Sequence, residues 1–554
     1  VSRFVISPSR VARYYFHECD RYLRYRCATS AQRRADGIPE YEVDHSLLTR
    51  AILEGGRAWE ARLLERHLRG RAILPRGTGD VGERRHSLDE TLAHLRSAPV
   101  GAAIYQATLQ APASFYETYG IDADTVTVAE CFPDLLVIAD GDDGVEVRVV
   151  DAKASEMMKL SHRIQVGLYS LILEHLLAER GIDTLGVSRV GGVWLYEQDE
   201  PEWFDLARIR GQLETFLAHD LTRIVQTPAG DAFWHLYYRC EWCDYYAHCR
   251  REAEDTDDVS RVPYLSTFAK RHLRESAAVR SVADFRSLLD RDDAEALLAG
   301  CASLEGRAHQ LRLSVAALQD GTVLSRGAAS VGMPKAEHVA VMLTVQSEPL
   351  EGRVYGYAIN RVKGAQLFGD GRATIARVAP SGAPETLDAL RRHLVRDLMD
   401  IMGTIHEHNV AHANDWNAQK TVQCYVFDSY ERDLLTQMLL DAVLDAEIAP
   451  EALALLFYFQ HPDLALADDH PATEVFFPLV VLTDVIRGLM ALPVSVVYRL
   501  ADANAHLQPR EFGFSYRPDD FFAFELSNRM KSNAIFEVWE RGRGDLVENI
   551  EGEL

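Results

Sequence analysis

The sequence predicts a mixed α/β protein of more than one domain. Three observations carry this. Strand-like apolar segments joined by a Gly/Asp-rich turn precede a long amphipathic helix in the first half of the chain. A second series of strand segments, with its own long helix, begins near residue 339. An acidic stretch at 252–258 separates the two. The length of 554 residues suits about three domains.

The elements follow in order. Ser7-Pro8-Ser9-Arg10 opens a helix under a serine cap, with Val11, Tyr14, Tyr15 and Tyr22 near helical spacing. Residues 46–70 read as a second helix, with Leu47, Ile52, Trp59, Leu63 and Leu64 roughly periodic. Helical and loop material fills 71–126. Strands are expected over 125–131, 135–139 and 145–151, the last two joined by Asp140-Gly141-Asp142-Asp143-Gly144, a hairpin turn. An amphipathic helix over 161–180 and a strand over 191–196 follow. Residues 262–320 read as helices with short turns. Strands at 339–346, 354–360 and 373–378 precede a helix at 384–408, a strand at 421–427 and a helix from Glu431. The tail, 526–545, is amphipathic and helical.

Composition narrows the class. A hydrophobic share of 47% and a charged share of 26% are ordinary for a globular protein. No run of about eighteen uncharged apolar residues occurs, and the apolar stretch at the start is too short for a signal peptide. No membrane partner is expected, and the expected compartment is the cytoplasm. Thiols stay reduced there, so the eight cysteines argue for metal binding over disulfides. The net charge of −24 counts against broad nonspecific DNA affinity, but a local groove decides binding. Arg3, Arg10, Arg13, Arg21, Arg24, Arg26, Arg33 and Arg34 face only Glu18 and Asp20 in the first 34 residues. That is either a stripe for a phosphate backbone or a solvated helix face.

The chemistry-bearing residues lie around the hairpin. Asp134 opens one strand and Asp151 ends the next, so a hairpin brings both carboxylates to one end. Mg²⁺ takes oxygen ligands and keeps several waters, so one or two carboxylates suffice, and the Ala152 carbonyl adds a further oxygen. Lys153, two residues after Asp151, shares its strand face and can orient an attacking water. Gln165 and Tyr169, at i and i+4, share a helix face. The bland reading is a surface hairpin with ordinary charges.

Together Pro133-Asp134, Asp151-Ala152-Lys153 and Gln165-Val166-Gly167-Leu168-Tyr169 resemble the PD-(D/E)xK nucleases of the RecB-like branch. The resemblance implies a restriction-endonuclease-like core with helical flanks and metal-dependent cleavage of DNA by Mg²⁺ or Mn²⁺. Asp134, Asp151 and Lys153 are then catalytic, and Gln165 and Tyr169 contact the DNA backbone. An earlier family helix carries Gly followed by His or Glu, and here it reads Gly56-Arg57-Ala58-Trp59-Glu60. Glu60 is then the third acidic metal contact; Trp59 stands where the family often has His. A solvated glutamate is the alternative.

Cys240, Cys243 and Cys249 form a compact triplet, with Cys19 far upstream. This one-plus-three arrangement resembles the iron–sulphur staple of RecB-like and AddB-like nucleases and of the CRISPR-associated exonucleases. The resemblance implies a structural [4Fe–4S] cluster pinning the first helix to the end of the nuclease domain. Zinc is the alternative metal. Cys27 competes with Cys19, but the family cysteine follows the helix after Ser-Pro-Ser, where Phe16-His17-Glu18-Cys19 fits. Cys131, Cys301 and Cys424 read as buried thiols and His248 as a neighbour.

The second half is read as a helical connector over 256–325, helix-hairpin-helix-like or plain, then an RNase H-like α/β domain over 326–515 and a helical tail over 516–554. The nuclease domain takes 1–255. Three strands, helix, strand, helix is the order of RNase H-like domains, whose exonuclease members start with Asp-x-Glu. Thr344 and Gln346 stand there instead, which predicts a degenerate, catalytically silent domain. Asp428 and the Tyr498/Asp502 pair match later motifs, and an active second site would have to use Glu348. The tail resembles the region before a helicase in helicase–nuclease fusions, yet no Gly-x-x-x-x-Gly-Lys-Ser/Thr loop occurs. The expected function is a metal-dependent DNA nuclease, an exonuclease on single-stranded or free ends, working with a helicase or other motor. Repair, CRISPR adaptation and phage defence are all open. The alternative is a non-catalytic nucleic-acid-binding or assembly module.

Overall fold

The computed structural model describes residues 3–40, 47–76, 84–141, 144–155, 157–196, 198–328, 333, 337–348, 352–459, 478–507 and 528–554. Asp142 and Asp143 of the hairpin turn, Pro349, and Leu526 and Ser527 at the start of the expected tail lie outside them. The chain is mixed α/β and divides into two compact units, Val1–Glu252 and Ala253–Leu554. Among the described residues no helix is long and apolar enough to cross a membrane.

The first unit opens with β1 (Phe4–Ile6), α1 (Pro8–His17), α2 (Asp20–Cys27) and α3 (Ser30–Asp36). Ser7 is the serine that caps α1, its side chain accepting from the Arg10 N–H. Next come α4 (Leu47–Arg66), β2 (Ala72–Ile73), α5 (Leu88–Ser97), β3 (Ala103–Tyr105), α6 (Ala113–Tyr119) and β4 (Val126–Val128). The strand expected over 125–131 is therefore short. It pairs in parallel with β1, outside the main sheet, and Cys131 forms an isolated bridge with Leu109.

The centre of the unit is β5 (Leu135–Gly141), β6 (Gly144–Lys153) and α7 (Leu160–Glu179), followed by β7 (Gly186–Val187), β8 (Val190–Leu195), β9 (Glu202–Asp205) and α8 (Ala207–Thr215). The sheet runs β2-β3-β5-β6-β8-β9, with β7 also on β6. β5 and β6 are antiparallel, with Leu135 opposite Val150, so Asp134 and Asp151 are the next pair along the ladder. The helix α7 lies close on the sheet because Gly191 has no side chain: a Cβ there would meet Val166 Cγ1 at 2.7 Å. The core joins Leu136, Ile138, Val147 and Val149 to Ile164, Leu168 and Ile172. Burying each such side chain contributes about 1.5–3 kcal/mol. Cys131 and Cys27 are in this core.

In the second unit, helices between Thr267 and Asp320 close a core around Val282, Phe285, Leu311 and Val315. Cys301 lies half-buried at its edge, with its thiol beside Ser303 Oγ at 3.4 Å, so the expectation of full burial is corrected there. The residues Val339–Ser347, Val354–Lys363 and Arg372–Val378 form an antiparallel meander. Val422–Val426 and Leu479–Val481 extend that sheet in parallel on the other side. Pro384–Ala411, a 28-residue helix, covers it through Leu390, Leu394, Leu398 and Ile401. The next helix is Ser429–Val443, two residues longer at its start than expected because Asp428 caps it.

Candidate active site and thiol cluster

Sheet register builds the site in the first unit. Asp134 and Asp151 face each other at the ends of β5 and β6, and Lys153 Nζ lies 2.5 Å from Asp151 Oδ2. The Ala152 N–H donates to Asp134 Oδ2 at 2.8 Å. Glu60 reaches the same place from α4, its Oε2 accepting from Tyr105 Oη at 2.6 Å and Gln106 Nε2 at 3.3 Å. Trp59 cannot take part, because it is buried in the core with its indole N–H donating to the Trp194 carbonyl. On α7, Gln165 Nε2 donates to Tyr169 Oη at 3.1 Å, and Tyr169 Oη donates to the Phe132 carbonyl at 3.3 Å. The structure thus brings Glu60, Asp134, Asp151, Lys153, Gln165 and Tyr169 to one end of the sheet.

The electrostatics show strain among the carboxylates. Burial, then the neighbouring Asp151 and Glu60, holds the Asp134 carboxyl well above the ordinary range, with Lys153 opposing. Burial also raises Glu60, against the hydrogen bond from Tyr105. For Lys153 burial favours the neutral amine, but Asp151 and Asp134 outweigh it and keep the ammonium. Burial and Lys153 lower the His162 imidazole to about 4, so it is neutral at pH 7.

Two residues of this site belong to no motif read from the sequence. Gln106 Nε2 donates to Glu60 and, at 3.2 Å, to Asp134 Oδ1, joining the two carboxylates. Its backbone sits at φ 53, a left-handed conformation uncommon for a side-chain-bearing residue. Tyr105 is its neighbour on β3. Neither belongs to a spacing motif; an aromatic–Gln pair at a strand end is the only hint the sequence holds.

Cys19 owes its position to a corner. Glu18 ends α1 at φ 49, and Cys19 is the extended residue before α2, its Sγ accepting from the Tyr22 N–H at 3.4 Å. Cys240 and Cys243 flank a tight turn in which the Cys243 N–H donates to the Cys240 carbonyl at 2.9 Å. Cys249 follows on the helix Tyr246–Asp255. Cys19, Cys243 and Cys249 pack on one apolar cluster with Tyr22, Tyr25 and Tyr245. Burial, then Cys249, pushes the Cys19 thiol up to about 12, and burial, then Cys19, holds Cys240 well above its ordinary value. All four thiols therefore feel one another. Cys27 does not: its thiol faces Arg10, Arg24, Arg26 and Arg33. His248 points to Glu252 at 3.3 Å and is a neighbour of the cluster.

Matched against protein-family models, the chain fits none, and it matches no curated protein. Among the described residues no three His, Cys, Asp or Glu side chains form a ready-made ion cage.

The expected arginine stripe is divided. Arg21 is buried and grips Glu252 with two hydrogen bonds of 2.6 and 2.9 Å, stacking over Trp234. Arg24 pairs with Asp36 at 2.6 Å. These two hold α2 in place and are withdrawn from any phosphate surface.

In the second unit Thr344 and Gln346 both point at Glu431. Thr344 Oγ1 donates to Glu431 Oε1, as does Gln346 Nε2 at 2.9 Å, and the Phe427 N–H donates to Oε2 at 2.8 Å. Glu348 is buried against Arg353, Asp428 caps a helix, and Tyr498 is buried with its hydroxyl accepting from the Leu492 N–H.

Proposed function

We propose that the chain is a metal-dependent DNA nuclease of the RecB-like PD-(D/E)xK type, an exonuclease on single-stranded or free ends. The carrying observation is the crowding of Asp134, Asp151 and Glu60 beside a retained Lys153 ammonium. An all-oxygen donor set, in which burial and then the neighbouring Asp151 raise Asp134 and Glu60, suits a hard divalent cation. Glu60, Asp134, Asp151 and the Ala152 carbonyl would hold Mg²⁺ or Mn²⁺, which supplies charge to the scissile phosphate and acidity to water. Lys153, fixed by Asp151, orients the attacking water and offsets phosphate charge. Gln165 and Tyr169 position the strand backbone, and Gln106 keeps the two carboxylates aimed.

Cys19, Cys240, Cys243 and Cys249 would hold a [4Fe–4S] cluster; an all-thiol donor set fits it. The cluster would cross-link the chain start to the end of the first unit. The strand order of the second unit, with a meander continued in parallel, supports an RNase H-like reading, and the Thr344–Gln346–Glu431 network supports its being silent: one carboxylate, hydrogen-bonded by neutral groups, replaces a metal pair. Such a protein would work beside, or fused to, a helicase.

The test is digestion of end-labelled single- and double-stranded DNA with Mg²⁺ or Mn²⁺, with Asp151→Ala as control. Metal-dependent cleavage lost in the variant is expected; no cleavage of any DNA by the metal-loaded protein would return the chain to a binding or assembly role.

A further inference from the structure

Arg85 is an exposed residue whose guanidinium carbon lies 3.7 Å from the centre of the Phe132 ring. Among the described residues no carboxylate pairs with it and no acceptor takes its N–H groups. Arg21 and Arg24, by contrast, are closed off by Glu252 and Asp36. The position of Arg85 is fixed from two sides. His86, the next residue, is buried. Its N–H donates to the Gln106 carbonyl at 3.1 Å, its ring Nε2 lies 3.2 Å from the Ile73 carbonyl, and its own carbonyl accepts from Thr108 Oγ1 at 2.5 Å. Gln106 is joined to Asp134 twice, by its N–H to the Asp134 carbonyl at 2.8 Å and by Nε2 to Oδ1 at 3.2 Å. On the other side, Phe132 stands two residues before Asp134, and its carbonyl accepts from Tyr169 Oη. Arg85 is therefore tied to the rim of the carboxylate site through its neighbour and through its stacking partner.

An aromatic ring holds a guanidinium in place without cancelling its charge. The N–H donors of that guanidinium form a planar fork that matches two oxygens of a phosphate. The centre itself already has its cation, Lys153, paired with Asp151 at 2.5 Å. A strand carries a charge at every phosphate, and phosphates flanking the one at an acidic centre are held only by cations outside it. We propose that Arg85 grips a phosphate next to the one that enters the carboxylate centre, so that the ligand is a nucleic-acid strand spanning at least two phosphates. The inference rests on the nuclease reading of that centre and names the form of its substrate. Arg85 is then a strand-positioning contact, placed beside the Phe132 carbonyl that Tyr169 holds.

The test is fluorescence anisotropy of a labelled oligo-dT strand on the full chain carrying Asp151→Ala, without divalent ions, across a salt titration. Arg85→Gln and Arg85→Lys are compared in that background. Glutamine keeps a planar group over the Phe132 ring and removes the charge; lysine keeps the charge and loses the fork. Arg85 is exposed, so both variants are expected to melt with the parent protein. Arg85→Gln is expected to weaken binding and to lower the slope of log affinity against log salt by about 0.7, the share of one phosphate contact on a single strand. Arg85→Lys is expected to restore the slope. Unchanged affinity and slope in the Gln protein would overturn the proposal. So would a Lys protein with the slope of the Gln protein, since the stack and not the charge would then be what Arg85 supplies. If wild type cleaves no DNA while Arg85→Gln still lowers the slope, the nuclease reading falls and the phosphate contact stands. If wild type cleaves DNA and the slope does not move, the contact alone falls.

Discussion

The Ala152 N–H donates to Asp134 Oδ2 across 2.8 Å. The bond runs from one strand of the hairpin to the first side chain of the other. It holds Asp134 in the rotamer that faces Asp151, and it spends the Ala152 N–H on aiming a carboxylate while leaving the Ala152 carbonyl as the expected ligand. Lys153, one residue on, is held by Asp151. Two carboxylates and one ammonium are thereby set by backbone register.

Removing either end of the Lys153–Asp151 pair should abolish cleavage with the fold intact. On the proposed mechanism, Asp151→Ala loses a metal ligand and Lys153→Ala a water-orienting charge. Metal binding, followed by titration calorimetry with Mn²⁺, should fall more in the Asp variant, and DNA binding with Ca²⁺ should survive in the Lys variant. Full activity in either purified protein contradicts the assignment.

Gln106→Ala should weaken metal affinity or activity by about 10–100-fold, the usual effect of removing a residue that orients ligands. Gln106→Gly relieves the left-handed backbone but still lacks the amide. It should therefore lose activity to the same degree while melting no lower than the Ala variant. Activity restored in the Gly protein would mean that backbone conformation, not the bridge to Glu60 and Asp134, is what Gln106 supplies.

Asp134 gives the unloaded protein a pH dependence of definite sign. Its folded-state pKa is raised. Its stability contribution is thus complete below the ordinary carboxylate value of about 3.9 and is lost as pH rises through the raised value. Without divalent ions, the melting temperature of wild type should fall across that window. Asp134→Asn should flatten the fall, and Mg²⁺ should remove it. A wild-type curve that rises through the window in the same way as the Asn variant would reject the crowding of carboxylates.

Cys243→Ser should lose iron and visible absorbance and melt at lower temperature, because the proposed cluster would link Cys19 to a segment more than two hundred residues away. Cys27→Ser should keep its iron. Equal iron in wild type and Cys243→Ser would reject the site, and zinc in place of iron would be seen in the same metal analysis.

With the first site disabled by Asp151→Ala, no cleavage of DNA or RNA by Mg²⁺ or Mn²⁺ should remain. Residual cleavage that disappears with Glu348→Ala, Asp428→Ala or Glu431→Gln would show that the second unit is alive.

The sequence alone determined the local pieces: the hairpin, the helix with Gln165 and Tyr169, the compact cysteine triplet, and the succession of strands and helices from Val339 to Glu431. These follow from periodicity and turn residues within a few positions of one another. It also placed Asp134 and Asp151 together, since antiparallel register follows from the turn. Only the tertiary structure decided what lies far apart in the chain. It set Glu60 beside Tyr105 and Gln106, put Cys19 and not Cys27 near the cysteine triplet, and turned Arg21 and Arg24 inward. Such choices depend on which faces pack and which charges lose water. Burial costs are paid by the assembled core, and no short window of sequence contains them.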